Sequence, residues 1–599
     1  METQLYVGAE PLGHRRFLPP EYVQRIPAVD EKVLRFLHAF LEHRGLAHVP
    51  VFINGGYVRD LLLGGDPDDL DLTVCLRGCA EDVTVGNLLQ SVPDFAAGHR
   101  ELGFSEVKLV TILAKQTKDK NIDTLKAYFV DAEYGKRIEV DVMPTIGDEI
   151  YQEHSRVPVR DERGTPEQDT LRRDLTIGAM LLRVEAGVAA AGGHEPLRFE
   201  LLDFHGGLRD LHLRILRAPS PRSVDLAAIR AAVLRTAEEE ELARGLGLDS
   251  APESVALQVL WWAKILMDDP LRVCRALRFV AKLRFSLHEA FWHAAAFAVV
   301  ALRSKVAGER KFVEYVKLCG YGLPACSDFF ELAFCKTFGP SNDWRLAPAL
   351  FGGQDDRAVA RGLSEVISFD RDAFRCLALT LDGTTDSTEM LGCLLAAAVS
   401  ASQLRASEGA LAEYARACGG LCASNAMREA GLSVLQAIAS IQAEPPRPSC
   451  LENAVAAACT MSVAELCLHL QFWEATRVPH HGRADGAVPE RRRRLVLAML
   501  EVGDPARAKA LSSPLTTLAR VRPAVRGAVL CTPGVLEVPV PLRRRVMSIL
   551  EVALRVLEYP QPLESEQDLQ HLFDAWPRLR EALSSAVWFD EDGQTLRVE

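Results

Sequence analysis

The chain has no apolar run near the roughly 18 residues that a membrane-spanning helix needs. The stretches around Leu395 and Val455 are short and Ala-rich. Its first residues, METQLYVGAEPLGHRRF, carry acids and no apolar h-region, so no secretory signal is expected. That places the protein inside the cell, in the cytoplasm first, with mitochondrion and nucleus as alternatives, and without a membrane partner. None of the 14 cysteines forms a CxxC pair. The nearest spacings are Cys75/Cys79 and Cys418/Cys422, and the reading is of free, buried thiols in a reducing compartment. There is no GxxxxGKS/T, which excludes a P-loop. His288 and His293 in LHEAFWH are five apart, off one helix face, so a helical zinc-protease pair is excluded, and His480-His481 reads as solvated loop. Basic residues are fewer than acidic ones, 69 against 81, for a net charge of −12. This argues against a broad nucleic-acid-wrapping surface but leaves room for a local basic groove, because screening confines fields to about 10 Å.

What is present is ordinary globular material, 48% apolar and 25% charged. At about 150 residues per domain, 599 residues make roughly four units, or two or three larger ones. Residues 1–25 read as an irregular arm. VDEKVLRFLHAFLEHRG has Val33, Leu34, Phe36, Leu37, Phe40 and Leu41 at helical spacing, with Gly45 as its stop. VPVFING, DDLDLTVCL, VKLVTILA and RIEVDVMP read as strands, with KQTKDKNIDT as a polar loop between the last two. The pattern turns helical from Thr165. LLRVEAG and FELLDF then form a hairpin, completing an α+β domain over 26–218. Residues 219–262 read as an insertion or connector. Helical periodicity dominates from Asp268 on, giving a neck over 263–345 and a body and tail over 346–599. Gly/Pro punctuation near 338–353, 443–449 and 476–490 marks loops, and RRRR at 491–494 reads as a solvated helix face or, alternatively, an RNA contact.

The chemistry is concentrated in INGGYVRDLLLGGDPDDLDLTV. Asp69 and Asp71 sit two apart on a strand, so their carboxylates share a face. Such a hard-oxygen pair suits Mg²⁺, and burying it without a cation is costly. Gly55-Gly56 follows a strand, where missing side chains let backbone N–H groups approach a phosphate.

GGYVRDLLLG followed by DLDL resembles the head of class II tRNA nucleotidyltransferases (CCA-adding enzymes) and their poly(A) polymerase relatives. SRVPVRDERGTPEQDTLRRDLTIGAMLL, LLDFHGGLRDL, DDPLRVCRALRFVAKLRFSLHE and VAGERKFVEYVKL resemble further family blocks in the expected order, over about 30–218 and 264–320. The forms GTPxxDxxRRDxT and DDPLR look more eukaryotic than bacterial.

The resemblance implies a polymerase-β-like nucleotidyltransferase head with a small mixed sheet, followed by an all-helical neck, body and tail. It implies transfer of CMP and AMP from CTP and ATP to the 3′ end of tRNA, or another RNA, with two Mg²⁺ ions. Asp69 and Asp71 would be ligands, joined by a third carboxylate from IEVDV. Spacing to Tyr151, with a one-residue insertion, favours Asp141, and Glu139 is the alternative. Gly55, Gly56, Arg59, Arg172, Arg173 and Asp174 would meet the triphosphate and ribose. Asp269 and Arg272 would read the base, because cytosine and adenine both pair an amino donor with a ring-nitrogen acceptor. Capping is the plainer role for Asp269. Of Arg275 and Arg278, one would face phosphates and the other pack.

The sequence departs from the family pattern at Gly178, where Asn is usual, at Gly147, near a usual Arg, in MPTIGDEIY and in the 219–262 insertion. A poly(A) polymerase and a catalytically weakened RNA-binding scaffold are the competing readings. Oligomeric state is left open.

Overall fold

The computed structural model describes residues 16–352 except 68, 113–123, 148, 151–158, 161–162, 187–195 and 222–224, then 387–400, 407–444, 448, 450–476 and, with gaps, 493–584. Most of the KQTKDKNIDT loop, Tyr151 and His480-His481 lie outside the described residues, as do residues 1–15 of the arm.

The chain divides into two compact units. One runs to Leu302 and includes Phe338–Trp344; the other comprises Arg303–Thr337 and the residues from Arg345 on. A break falls between Trp344 and Arg345, next to the expected boundary at 345, but residues 303–337, expected in the neck, group with the second unit. Residues 338–344 belong with the first unit, where Phe338 bridges Trp344 and its ring lies 6.0 Å from Trp292. The 303–337 helices instead share a core with Ala347–Phe351, where Phe334 stacks on Phe351 at 5.6 Å. The boundary at 262 is corrected as well, because it cuts the helix Glu253–Asp268.

The first unit is built on a seven-stranded mixed sheet. Its strands are β1 (Val51–Asn54), β2 (Leu70–Val74), β3 (Phe104–Ile112), β4 (Thr124–Asp131), β5 (Arg137–Pro144) and, after a two-residue ribbon β6 (Glu149–Ile150) with β7 (Val159–Arg160), β8 (Leu181–Glu185) and β9 (Arg198–Leu202). The order is β3-β4-β5-β2-β1-β8-β9, and only β2 and β5 run parallel. Residues 16–18 extend the β9 edge: Leu18 N–H donates to Phe199 O and Leu201 N–H to Arg16 O. That part of the arm is thus a pairing segment rather than irregular chain.

The helix Ala28–His43 forms because its apolar positions recur on one face, and all six named above are buried. Phe36 meets Phe95, Phe104 and Phe129 edge-on, each at 5.4 Å. The helix Pro166–Leu171 starts at a capping box, with Thr165 and Gln168 exchanging hydrogen bonds at 3.1 and 2.9 Å.

Residues after the head form the helices Leu226–Val233, Ala237–Gly245, Glu253–Asp268, Leu271–Leu283 and Ala290–Ser304. The region is not purely helical, because Ile215–Leu216 pairs in parallel with Ser286–Leu287. The second unit is mainly helices, with a short ribbon of Cys531–Thr532 and Leu536–Glu537. Among the described residues no single helix is long and apolar enough to cross a membrane.

Two further expectations change. Among the described cysteines all are free, but Cys335, Cys422 and Cys531 are exposed rather than buried. In the RRRR run, Arg493 is not on a solvated face: it is 7% exposed, with its guanidinium 3.4 Å from the Trp473 ring centre. The apolar stem and flat cation of Arg make this stacking favourable.

Candidate active site

The parallel pairing of β2 and β5 aligns Asp71 directly with Asp141. Directly opposed residues project from the same face. Asp69 lies one residue ahead of β2 and is exposed. Burial, then the negative charges of Asp141 and Asp69, push the Asp71 carboxyl up to about 6. Glu139 stands two residues along β5, opposite Tyr128 rather than Asp71. The register thus sets Asp141, not Glu139, beside Asp71.

Among the described residues no three His, Cys, Asp or Glu side chains close into a metal cage. Mg²⁺ does not require one, because it is usually held by one or two carboxylates with water and substrate phosphates completing its shell. Adjacent hard oxygens, one of them charge-strained, fit that ion.

Gly55, at φ 69°, takes the chain from β1 into the helix Gly56–Leu62, a conformation that favours glycine. A Cβ there would lie 3.6 Å from Arg173 Nη1. Arg172 and Arg173 converge on Asp169, which the sequence reading did not single out. Asp169 is 1% exposed. It accepts from Arg172 Nη2 at 2.8 Å, from Arg173 Nη2 at 3.0 Å and from the Ile146 N–H at 3.2 Å. Burial alone would raise its carboxyl, but Arg172 and Arg173 outweigh that and hold it below the usual range. Arg173 also donates to Asn54 Oδ1 at 3.3 Å and Gly178 O at 3.1 Å, and Asn54 donates to Thr73 Oγ1 at 2.6 Å. The signal for Asp169 is its place three and four residues before two arginines that follow the end of its helix.

Gly178 faces open space, so the missing Asn side chain has left room rather than been replaced. Gly147 backs onto Gly164: a Cβ on Gly164 would lie 2.1 Å from Gly147 N, so this close approach requires glycine at 164. Arg163 fastens the exit of β2, donating to the carbonyls of Leu76, Cys79, Ala80 and Val83 at 2.7–3.2 Å.

The helix Leu271–Leu283 meets this arrangement within the same unit. Arg275 Nε lies 2.7 Å from Asp174 Oδ2. Burial would raise Asp174, but Arg275 and Arg272 hold it low. Arg278 is buried over Phe279, so Arg275 faces the head and Arg278 packs. Asp269 sits at the joint between Glu253–Asp268 and this helix and accepts from the Leu271 N–H at 3.3 Å, a capping bond. Arg272 donates to Ile265 O at 3.0 Å. Arg59 is placed away from a phosphate role. It is 5% exposed and forks onto Asp60 at 2.8 and 2.7 Å, with its guanidinium 5.2 Å from the Phe279 ring centre. Asp60 also takes Lys282 at 3.4 Å.

A mixed sheet whose single parallel pair sets two carboxylates side by side, next to a braced arginine pair, is the head of a nucleotidyltransferase fold. Residues 51–217 match the family model of the poly A polymerase head domain. It is 26% identical over 248 residues to the mitochondrial CCA tRNA nucleotidyltransferase of Candida glabrata, covering 41% of this chain and 34% of that one. It is 27% identical over 270 residues to the mitochondrial CCA tRNA nucleotidyltransferase of Saccharomyces cerevisiae, covering 44% and 37%. The matches thus span about a third of these relatives' length. A solved apo CCA-adding enzyme shares the fold, with a TM-score of 0.52 at 15% identity over 94% of this chain and 100% of that one.

Proposed function

We propose that this protein is a template-independent RNA nucleotidyltransferase that adds CMP and AMP from CTP and ATP to the 3′ end of tRNA inside the cell. The observation that carries the reading is the aligned Asp71–Asp141 pair, with the Asp71 carboxyl raised by burial and then by the charges of Asp141 and Asp69. Asp69, Asp71 and Asp141 would hold Mg²⁺, which would supply activation of the attacking hydroxyl and neutralisation of the leaving oxygens. The RNA 3′-oxygen forms a bond to the α-phosphorus, the bond to the β-phosphate oxygen breaks, pyrophosphate leaves and the hydroxyl proton passes to solvent.

Arg172 and Arg173, aimed by Asp169, present guanidinium forks to the triphosphate oxygens. Asp174 accepts from the ribose 2′-hydroxyl, with Arg275 holding its carboxylate ionised. Asp269 accepts the amino group shared by cytosine and adenine, and Arg272 donates to the adjacent ring acceptor. Both exchange their present backbone bonds for the base. The helical remainder would grip RNA by shape and backbone charge.

The test offers purified protein, Mg²⁺ and tRNA lacking its CCA end each triphosphate singly and then CTP with ATP. CTP is accepted and CTP with ATP completes three additions, while GTP and UTP are refused. Asp269→Ala and Arg272→Ala each narrow the preference for CTP and ATP over UTP and GTP by about tenfold or more, the worth of one lost base contact. Long A tails without C would mark a poly(A) polymerase instead, and no incorporation would leave the scaffold reading.

A further inference from the structure

The acidic row contains a cation of its own. Lys126 on β4 stands opposite Asp141 on β5, just as Asp141 stands opposite Asp71 on β2. The sheet face therefore reads ammonium, carboxylate, carboxylate across three strands. Lys126 Nζ lies 3.1 Å from Asp141 Oδ1 and also hydrogen-bonds Glu139. The side chains of Lys126, Asp141 and Glu139 are 33%, 36% and 53% exposed, although the Asp141 Oδ1 that faces the ammonium is itself buried.

We propose that Lys126 is a built-in counter-ion that competes with divalent metal for Asp141 and so sets the metal affinity of the row, with Glu139 as the alternative seat to which the ammonium moves. This rests on the metal-binding reading above. A cation approaching Asp141 must share its oxygens with the ammonium or displace it. Glu139 is two residues along the same strand face and already holds Lys126, so displacement needs no unpaired lysine. Glu139 then acts through Lys126 as a positioning residue rather than as a metal ligand. Lys126 takes no part in bond making.

The test is Mn²⁺ binding to the full chain without nucleotide, followed by electron paramagnetic resonance. Lys126→Met binds Mn²⁺ roughly fivefold tighter, the size expected from removing one charge a few ångströms from a divalent ion in a partly solvated site. Lys126→Arg stays near wild type. Glu139→Gln, on an exposed side chain that folding does not depend on, weakens binding in the wild-type background. In the Lys126→Met background that effect shrinks, the coupling that a double-mutant cycle measures. Unchanged or weaker binding by Lys126→Met, or an equal Glu139→Gln effect in both backgrounds, overturns the proposal. If wild type binds Mn²⁺ and Asp71→Asn does not, the metal reading stands whatever Lys126 does. If wild type binds none, both fall.

Discussion

Asp71→Asn abolishes nucleotide incorporation, by about a thousandfold or more, while raising the melting temperature of the metal-free protein. The two effects have one cause. Asp71 is largely buried, with the negative charges of Asp141 and Asp69 nearby, and its carboxyl rises from the usual 3.8 to about 6. A carboxyl raised on folding contributes stability that is full below the unfolded value and lost as pH rises through the folded one. At pH 7.5 the ionised group therefore costs stability, on the order of 1 kcal/mol after allowing for its partial exposure. Asn keeps the shape and removes the charge, so the metal-free protein gains what the reaction loses. Mg²⁺ raises the wild-type melting temperature by linkage and leaves the Asn variant little changed. Incorporation rates, with thermal melts in chelator and in Mg²⁺, check both halves. A variant that is inactive and also destabilised in chelator would mean that Asp71 is a structural residue.

Asp169→Asn is the second large effect, and its signs differ. Asp169 is buried beneath two guanidinium groups and the Ile146 N–H. Removing one partner of a buried pair costs about 3–5 kcal/mol, because the remaining charge is left uncompensated. Arg172 and Arg173 are 24% and 16% exposed, so water recovers part of that, and about 2–4 kcal/mol is expected. Because Asp169 is held low in the fold, its stabilisation is full above the unfolded value and lost as pH falls through the folded one. The wild type therefore loses stability on acidification below about pH 4 where the Asn variant has none of this term to lose. With both arginines no longer aimed, KM for the triphosphate rises, and kcat/KM falls by about a hundredfold even at a temperature where the variant is folded. Melts across pH and steady-state kinetics separate the structural effect from the positional one.

These two carboxylates also mark where sequence stopped carrying information. Asp71 is legible because the surrounding motif is dense, although β2 begins at Leu70 and leaves Asp69 just outside the expected strand alternation. Asp141 over Glu139 was only half legible. Both lie on one strand face, and the choice is made by a parallel register between β2 and β5 that no local pattern encodes. Asp169 stands in GTPxxDxxRRDxT, but nothing local in that motif shows that it is buried. Its importance comes from burial and from the Ile146 backbone that closes over it. β4 was missed because TLKAYFVD follows a polar, Lys-rich loop and lacks clean alternation, yet it supplies Lys126 to the acidic row. Arg59 read as a phosphate ligand from its motif, whereas the adjacent Asp60 and the distant Phe279 bury it. The two-residue β10 (Ile215–Leu216) and β11 (Ser286–Leu287) pair was invisible for the same reason, as its partners lie about 70 residues apart and neither is long enough to show a period.

The most direct measurement is the mass of the RNA product. Purified wild-type protein is incubated with Mg²⁺, CTP, ATP and tRNA ending at the position before CCA, and the intact RNA is weighed by mass spectrometry. The expected mass increase is that of two CMP and one AMP, with an equal molar yield of pyrophosphate and no increase with Asp71→Asn. An RNA mass that is unchanged by the wild-type protein, or changed equally by the Asn variant, would contradict the assignment of this acidic row to nucleotidyl transfer.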